Sequence, residues 1–274
     1  MSYNKQINAK HGKFIFNKND IYLGESLNNY GEWSEGEIEL IKQICKEGDI
    51  IIEVGSNIGA HSVPLTKLIG TKGILYGFET QKILFQYLCN NISLNNIKNA
   101  KIYNKAISDG KNEVLVPQLD LNKKNNFGGV SLLKSKHGDK IHTISLDEFL
   151  FDKIKINHNK LKLIKCDVEG YETKVVKGAK KLIEKFKSFL YLENDRTEKS
   201  KELIELVFNY GYKLYWHFVP MFNKNNYFEN KDNIFPNLIS FNMFGVHPSI
   251  RINLEEKWEK LEIKDANQHP LDKN

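Results

Sequence analysis

The segment Asp49-Ile-Ile-Ile-Glu-Val-Gly-Ser-Asn-Ile-Gly59 decides the fold of this 274-residue chain. Residues 49–54 form a short apolar run rich in β-branched side chains, which predicts a strand buried on both faces. Gly55 and Gly59 then permit a tight turn and a close backbone approach to a ligand at the start of a helix. Residues 58–69 continue with a helical pattern. A strand, a glycine turn and a helix in this order indicate the first half of a β-α-β unit.

The same alternation continues along the chain on both sides of this segment. Further strands are predicted over residues 73–78, 101–107, 161–166, 188–192, 212–217 and 238–246. Further helices are predicted over residues 34–45, 81–94, 172–186 and 198–210, most clearly over 172–186. Strands that alternate with helices at this spacing predict an α/β fold, with a mostly parallel sheet covered by helices on both faces.

Three segments depart from the alternation. The first thirty residues are polar and irregular, with one short strand at 13–16, and the residues after Pro248 form a charged tail that we expect to be peripheral. Short strands are also expected near 114–119, 130–133 and 141–146, around an asparagine-rich loop. The predicted organisation is an N-terminal extension (1–33), one domain (34–248) with a strand-rich excursion (110–146), and a tail (249–274).

The composition is that of a single globular domain, with 41% hydrophobic and 27% charged residues. A chain of this length buries enough apolar surface to fold without a disulfide or metal staple. Cys45, Cys89 and Cys166 lack zinc-site spacing and are expected to be reduced. The sequence has no apolar run of membrane-spanning length and no signal-peptide core, so we expect a cytoplasmic protein.

The net charge of +6 raises the question of a nucleic-acid partner. Arg196 and Arg251 are the only arginines, so 38 of the 40 basic residues are lysines, and these are spread along the chain. Recognition of phosphate or guanine favours the planar guanidinium group. We therefore interpret the charge as a lysine-rich surface and expect no nucleic-acid partner.

Acidic residues end the first two strands. Glu53 precedes a Gly-x-x-x-Gly turn, which differs from the Gly-x-Gly-x-x-Gly turn that holds a dinucleotide pyrophosphate. Glu79 follows the second strand, where a carboxylate accepts hydrogen bonds from vicinal ribose hydroxyls. Either feature alone also suits an ordinary strand–helix connection. Together they predict a nucleoside ligand with a cationic, amino-acid-like part, and S-adenosylmethionine fits this description.

With these features the sequence resembles the FkbM-type family of S-adenosylmethionine-dependent methyltransferases. Two positions depart from the family pattern: Glu53 replaces the usual Asp, and Thr80 replaces the Pro that commonly follows the Glu. The matching motifs, in the order of the family, are Glu53-Val-Gly-Ser-Asn-Ile-Gly59, Gly77-Phe-Glu-Thr80, Asn104-Lys-Ala-Ile-Ser-Asp109, Phe127-Gly-Gly-Val-Ser131, Ser145-Leu-Asp147, Ile164-Lys-Cys-Asp-Val-Glu-Gly-Tyr-Glu172, Lys177-Gly-Ala179 and Leu192-Glu-Asn194.

The resemblance implies a Rossmann-like class I methyltransferase fold, whose seven-stranded sheet has an antiparallel last strand. It also implies O-methylation, often of sugars or natural products. By matched position, Gly55, Asn57 and Gly59 would line the methionine end of the cofactor, Glu79 the ribose, and Ala106 and Ile107 the adenine edge. The predicted cofactor-binding residues are Glu53, Gly55, Ser56, Asn57, Gly59, Glu79, Thr80, Ala106, Ile107, Ser131 and Asp167.

Methyl transfer to an alcohol needs alignment of the reactants and removal of a proton. Asp167 and Glu193 end the fourth and fifth strands, and we expect them to face the cofactor methyl group and the acceptor, respectively. His61, one turn into the first helix, is the alternative base, ahead of His142 and His217. Glu169 and Glu172 suit helix N-terminal charges equally well.

A divalent metal held by Asp167, Glu193 and Asp195 is conceivable, since oxygen ligands suit magnesium. The sequence shows no dense ligand loop, so no metal is expected. The aromatic residues Trp216, Phe218 and Phe222 suit either a sugar-binding surface or the core of the last strands. We predict a small-molecule or glycan acceptor. The alternatives are a nucleic-acid methyltransferase and a non-catalytic cofactor-binding protein; the oligomeric state is not predicted.

Overall fold

The structure is a computed structural model that describes residues 2–130, 137–153, 161–252 and 256–272. The helices are α1 (Leu23–Tyr30), α2 (Glu35–Ile44), α3 (Ser62–Ile69), α4 (Lys82–Leu94), α5 (Glu172–Lys177), α6 (Lys180–Phe186), α7 (Thr197–Asn209) and α8 (Glu256–Glu259), with a π-helical segment at Asp147–Lys153. The strands are β1 (Asn4–Ala9), β2 (Gly12–Asn17), β3 (Ile50–Val54), β4 (Ile74–Glu79), β5 (Ala100–Asn104), β6 (Ala106–Ile107), β7 (Glu113–Val116), β8 (Asp139–Ile144), β9 (Leu161–Cys166), β10 (Phe189–Glu193), β11 (Lys213–Pro220) and β12 (Ile239–Val246).

The main sheet has seven strands in the order β11-β12-β10-β9-β3-β4-β5. Strands β3, β4, β5, β9 and β10 are parallel, and β12 runs antiparallel to both of its neighbours. The predicted α/β fold, with a mostly parallel seven-stranded sheet and an antiparallel last strand, is confirmed. All carboxyl ends of the parallel strands therefore meet at one edge, where such folds bind ligands.

Helices cover both faces of the sheet, as predicted. On one face, α5, α6 and α7 pack against side chains such as Ile52 and Leu190. On the other face, α2 and α3 pack against Ile51, Leu163 and Tyr191. Because side chains alternate along a strand, Glu53 and Lys165 also project toward the α2–α3 face. The continuous apolar run of β3 reflects this burial on both sides.

Two predicted helices have different bounds in the structure. The helix after the glycine turn begins at Ser62 rather than at residue 58, because Asn57 (φ 50°) and Gly59 (φ 87°) have left-handed backbone conformations. The predicted helix 172–186 is two helices, α5 and α6. The Asp147 carboxylate accepts hydrogen bonds from the backbone N–H groups of Lys181 and Leu182 at 2.8 and 3.0 Å, so it satisfies the free donors at the start of α6.

The N-terminal residues are more regular than expected. Strands β1 and β2 form an antiparallel hairpin, whose buried side chains Phe14 and Phe16 alternate with more exposed ones. The Asn91 side chain of α4 accepts a hydrogen bond from the Ile15 N–H at 2.7 Å and donates one to the Ile58 carbonyl at 2.8 Å. The sequence predicted an irregular segment because only a few positions of the hairpin show the alternation of buried and exposed side chains.

Strands β7 and β8 of the excursion join β6, which precedes it, in a separate small sheet in the order β6-β8-β7. The predicted strand 101–107 is accordingly divided, since β5 belongs to the main sheet and β6 to the small one. The prediction of a strand at 130–133 falls largely outside the described residues. Among the helices that the structure describes, none has the length and apolar character needed to cross a membrane.

The C-terminal tail packs against the outer strand β11, so the expectation that it is peripheral is wrong. Trp216 donates a backbone hydrogen bond to the Leu261 carbonyl at 2.8 Å, and Ile263 donates one to the Leu214 carbonyl at 2.8 Å. Trp258 and Ile263 are buried. The few apolar residues of the tail decide its position, although charged residues dominate its sequence.

Candidate active site

An open cleft of about 360 Å³ lies at the carboxyl ends of the parallel strands. The turn after β3 forms one side of the cleft, and the segments after β9 and β10 form another side. Residues of α2, the glycine pair 128–129 and the β11–β12 connection complete it. The cleft is thus located where the alternation of strands and helices predicted a ligand site.

In the glycine turn, the backbone at Gly55 lies close to Asp167, which directly follows the neighbouring strand β9. Gly55 has φ 88°, and a Cβ atom there would collide with the carbonyl oxygen of Asp167. The N–H groups of Gly55 and Ser56 both donate to the Phe78 carbonyl at 2.9 Å. Gly55, Ser56 and Asn57 line the cleft. Glycine is required at position 55 because any side chain would separate the turn from β9.

Glu79 lines the cleft at the end of β4. Its carboxylate accepts hydrogen bonds from the Asn57 N–H at 2.8 Å and the Gln81 N–H at 2.7 Å. Burial raises the pKa of Glu79 to about 7 despite these backbone donors. Thr80 lines the same end of the cleft. The acid and the glycine turn that the sequence predicted to act together are therefore in direct contact.

The three predicted catalytic residues meet in the cleft. Asp167, Glu193 and His61 all line it, and Asp167 retains 35% of its side-chain exposure. Burial, followed by the negative charge of Asp167, raises the pKa of Glu193 well above its usual value. Burial lowers the pKa of His61 to about 4, so its imidazole is neutral at pH 7.

Several buried polar atoms of the cleft have no hydrogen-bond partner among the described residues. They include Asn57 Oδ1, His61 Nε2 and Glu193 Oε2. Buried polar atoms in proteins are normally paired, and each exception calls for an explanation. Because these atoms line one cleft, a polar ligand that fills the cleft would satisfy them.

The sequence interpretation missed two charged residues of the site, Glu37 and Lys165. Lys165 is 1% exposed, and its Nζ lies 3.4 Å from Glu37 Oε2 and 3.3 Å from Asp167 Oδ2. Ser34 and Glu37 have the three-residue spacing of a capping box. The Ser34 hydroxyl instead donates to Glu37 Oε1 at 2.7 Å. Lys162 and Lys165 both interrupt the apolar run of strand 161–166, and this was the available signal, since a buried ammonium needs anionic partners.

Four predicted cofactor-binding residues do not line the cleft. Ala106 and Ile107 are 0% and 3% exposed in the small sheet and are not among the lining residues. Glu53 lies beneath the cleft and accepts a hydrogen bond from the Ser62 hydroxyl. Gly59 faces Leu88 instead of the cleft. Ser131 lies outside the described residues.

A group of three carboxylates lies at the far end of the cleft. Ligand atoms of Glu169, Glu193 and Asp195 lie within 4.8 Å of one another, an arrangement with room for a divalent cation. This set contains Glu169 in place of Asp167, which the sequence had suggested. Arg196 forms ion pairs with Glu169 and, at 3.3 Å, with Asp195. A guanidinium therefore already supplies positive charge to this group.

The outer part of the cleft is apolar. Trp33, Met221 and Ile239 contribute to this side. Trp216 is 8% exposed in the core, and Phe218, although 36% exposed, does not line the cleft. For Trp216, the structure therefore favours the core interpretation over a sugar-binding surface.

Comparisons with known proteins agree with this geometry. The family model described as the methyltransferase FkbM domain matches residues 53–214, which is more than half of the chain. A tRNA(Phe) (4-demethylwyosine(37)-C(7)) aminocarboxypropyltransferase from Methanocaldococcus jannaschii is 34% identical over 70 residues. That match covers 24% of this chain and 28% of the relative.

Two solved structures are similar in fold. A methyltransferase FkbM from Methylobacillus flagellatus is 17% identical, with a TM-score of 0.48, over 73% of this chain and 44% of that one. An S-adenosylmethionine-dependent O-methyltransferase from Thermotoga maritima is 12% identical, with a TM-score of 0.48, over 91% of this chain and 79% of that one. The chain thus spans less than half of the first structure and less than a third of the tRNA-modifying relative.

Proposed function

This chain belongs to the FkbM methyltransferase family, and we propose that it is an S-adenosylmethionine-dependent methyltransferase that methylates a hydroxyl group of a sugar, glycan or other small acceptor. The observation that carries the proposal is the set of unpartnered buried atoms Asn57 Oδ1, His61 Nε2 and Glu193 Oε2, which line the cleft between the glycine turn and the acidic strand ends. A polar ligand filling the cleft would supply the missing partners.

The residues at the turn suit the cofactor. Gly55 and Asn57 would border its amino-acid part, and the Glu79 carboxylate would accept hydrogen bonds from its ribose hydroxyls. When bound, the cofactor supplies an electrophilic methyl group on a positively charged sulfur. The chain's own contribution is to align the acceptor for in-line displacement and to exclude water from the cleft.

Asp167 and Glu193 would have different roles toward the acceptor: Asp167 would remove its proton, and Glu193 would orient it. The Asp167 carboxylate would take the proton of the acceptor hydroxyl as that oxygen is methylated. Burial and the neighbouring carboxylates raise the pKa of Glu193 and so favour its protonated form, which would donate a hydrogen bond that orients the acceptor. The neutral His61 imidazole lies in the same cleft and is the alternative base.

The charge of the cleft supports a small acceptor. Asp167, Glu169, Glu193 and Asp195 line it, and Arg196 is engaged with two of these acids. Carboxylates repel the phosphates of a nucleic acid, which are usually bound by lysine and arginine side chains. Hydroxyl groups of a neutral acceptor are suitable partners for the same carboxylates.

The second candidate is an RNA-modifying enzyme. One observation favours it, namely the 34% identity over 70 residues with an enzyme that is named as acting on tRNA(Phe). The lysine-rich surface would then bind the RNA backbone, and binding would fall steeply with salt.

Transfer of a labelled methyl group distinguishes the two candidates. The protein is incubated with S-adenosylmethionine carrying a ¹⁴C-methyl group and with separate panels of sugars, hydroxylated natural products and unmodified tRNA. We expect label in a low-molecular-weight product that resists mild alkali, as a methyl ether does and a methyl ester does not. Label in tRNA alone would replace the first candidate with the second, and label in an alkali-labile product would contradict hydroxyl methylation.

A further inference from the structure

The ammonium of Lys165 is buried beneath the cleft between two carboxylates. Its Nζ lies 3.4 Å from Glu37 Oε2 and 3.3 Å from Asp167 Oδ2. Lys165 and Glu37 are 1% and 3% exposed, whereas Asp167 retains 35% exposure. Glu37 and Asp167 both line the cleft. Two carboxylates on one ammonium leave an excess of negative charge, and Asp167 is the more exposed of the two toward a ligand.

The fold explains why the three groups meet. Glu53, Lys165 and Tyr191 form a row across β3, β9 and β10, on the sheet face that α2 covers. Glu37 projects from α2 onto this row. The Lys165 ammonium also lies 5.9 Å from the centre of the Tyr191 ring. Burial alone would lower the pKa of Lys165, but the carboxylates of Glu37 and Asp167 outweigh that effect, so the side chain is charged.

Glu37 is likewise ionised. Burial tends to raise its pKa, but the Lys165 ammonium, together with smaller contributions from His61, the Ser34 hydrogen bond and His217, holds the pKa of Glu37 below its usual value. The neighbouring His61 is neutral at pH 7 and adds no charge. Glu53 is a third acid near Lys165, and burial raises its pKa, which favours its neutral form. Without Glu37, the ion-pair partner left to Lys165 would be Asp167, and that pair carries no net charge.

We propose that Glu37 is a specificity-determining residue for the charge of the cofactor. Its buried carboxylate neutralises Lys165, so that Asp167 presents uncompensated negative charge to the positively charged sulfur of S-adenosylmethionine. The inference rests on the proposed function, since it requires the cofactor in this cleft. Residues 53–214 match the family model, and Glu37 precedes them. The residue that sets the charge at Asp167 therefore lies outside the matched segment.

The arrangement has a consequence for turnover. S-adenosylmethionine carries a positive charge at sulfur, and its product S-adenosylhomocysteine is neutral there. A negative cleft therefore favours the substrate form of the cofactor over the product form. At a separation of several ångströms in a partly hydrated site, one unit of charge changes the relative affinity about fivefold.

Two ligands of similar shape measure this effect without an acceptor. Sinefungin has a carbon in place of the sulfur and carries an amine, charged at pH 7, at the position of the transferred methyl group, whereas S-adenosylhomocysteine is neutral there. The Kd of each is measured by calorimetry at pH 7, and the ratio Kd(S-adenosylhomocysteine)/Kd(sinefungin) is compared among variants. A variant that only disturbs the structure weakens both ligands and leaves the ratio unchanged.

Three variants are compared with the wild type. Glu37→Gln removes one negative charge, and we expect the ratio to fall about fivefold. Glu39→Gln, on the exposed side of the same helix, should leave the ratio unchanged. The double variant Glu37→Gln/Lys165→Met removes both buried charges, returns the net charge to that of the wild type, and should restore most of the ratio. Replacing a whole buried pair also avoids leaving an unpaired charge.

The outcomes separate the inference from the proposed function. An unchanged ratio in folded Glu37→Gln, or a ratio that the double variant fails to restore, would overturn the role of Glu37. If the wild-type protein bound neither ligand, the cofactor site itself would be wrong. Tight binding of both ligands with an unchanged ratio in every variant would reject the charge mechanism and retain the site.

Discussion

Glu79 is a carboxylic acid buried among backbone donors at the end of β4. Its folded-state pKa is about 7, compared with an ordinary value of 4.5. Between these pH values the folded protein keeps a proton that the unfolded chain releases. The contribution of Glu79 to the free energy of unfolding therefore decreases as the pH rises from 4.5 to 7, and the full penalty is present above 7.

Glu79→Gln has no proton to lose and tests this linkage. Relative to the wild type, the variant should gain about 1–3 kcal/mol of stability between pH 4.5 and pH 8, whatever the constant cost of the altered hydrogen bonds. Urea unfolding of both proteins at several pH values measures the difference. A difference that is constant with pH, or that changes in the opposite direction, would show that the folded-state pKa of Glu79 is not raised.

Asp167 and Glu193 have different protonation states in the proposed mechanism, so their amide variants should differ. Asp167→Asn removes the base and should lower kcat about 10²- to 10⁴-fold. Glu193→Gln keeps a hydrogen-bond donor and should lose only about tenfold or less. Both variants should still bind S-adenosylhomocysteine. Comparable losses of kcat in the two variants would contradict this division of roles.

At the level of single residues, the sequence pointed to part of the cleft lining but missed the charged pair Glu37 and Lys165. Gly55 and Glu79 were recognisable because each follows a strand and has one chemical use there. Ala106 and Ile107 were assigned by matched position, yet the small sheet buries them away from the cleft. The ion pair of Glu37 and Lys165 was not predicted, because it depends on α2 lying over β9, and no local sequence pattern shows that contact.

The turn between β3 and α3 is the element on which the site depends most. Gly55→Ala would need a left-handed backbone at Ala and would press a methyl group against the Asp167 carbonyl. We expect a loss of at least about 2 kcal/mol in the free energy of unfolding, together with weaker cofactor binding. Gly110→Ala is the control, since a Cβ there has no heavy atom within 4 Å, and it should change stability by less than about 0.5 kcal/mol. Equal effects of the two substitutions in chemical denaturation would refute the requirement for glycine at position 55.

The type and bounds of an element were predicted well where the pattern of apolar and polar residues within that element determines them. The bounds of β9 match the expected residues 161–166, because its run of apolar side chains is buried on both faces. The helix predicted over 172–186 has the expected apolar stripe, but it is divided where Asp147, from a distant segment, binds the backbone of Lys181 and Leu182. A periodic pattern shows that a helix is present, whereas a remote carboxylate decides where it begins.

At the scale of the whole molecule, the C-terminal tail supports the outer edge of the sheet. The Trp258 ring lies 5.6 Å from that of Phe244, and His269 Nε2 lies 2.8 Å from the carbonyl of Asn194, which directly follows Glu193. Trp258→Ala should destabilise the protein by about 3 kcal/mol. Leu271→Ala, at a tail residue that is 46% exposed, should have little effect. Thermal unfolding of the two variants provides the test, and an unchanged Tm for Trp258→Ala would mean that the tail is dispensable.

The central claim is that the cleft at the carboxyl ends of β3, β4, β9 and β10 holds the cofactor, with Glu79 on its ribose. Calorimetric titration of the protein with S-adenosylhomocysteine, in the wild type and in Glu79→Ala, tests this claim most directly. The account predicts saturable one-to-one binding to the wild type and at least tenfold weaker binding to Glu79→Ala, because hydrogen bonds to a carboxylate are lost. Absence of binding to the wild type, or equal affinity in the folded variant, would contradict it.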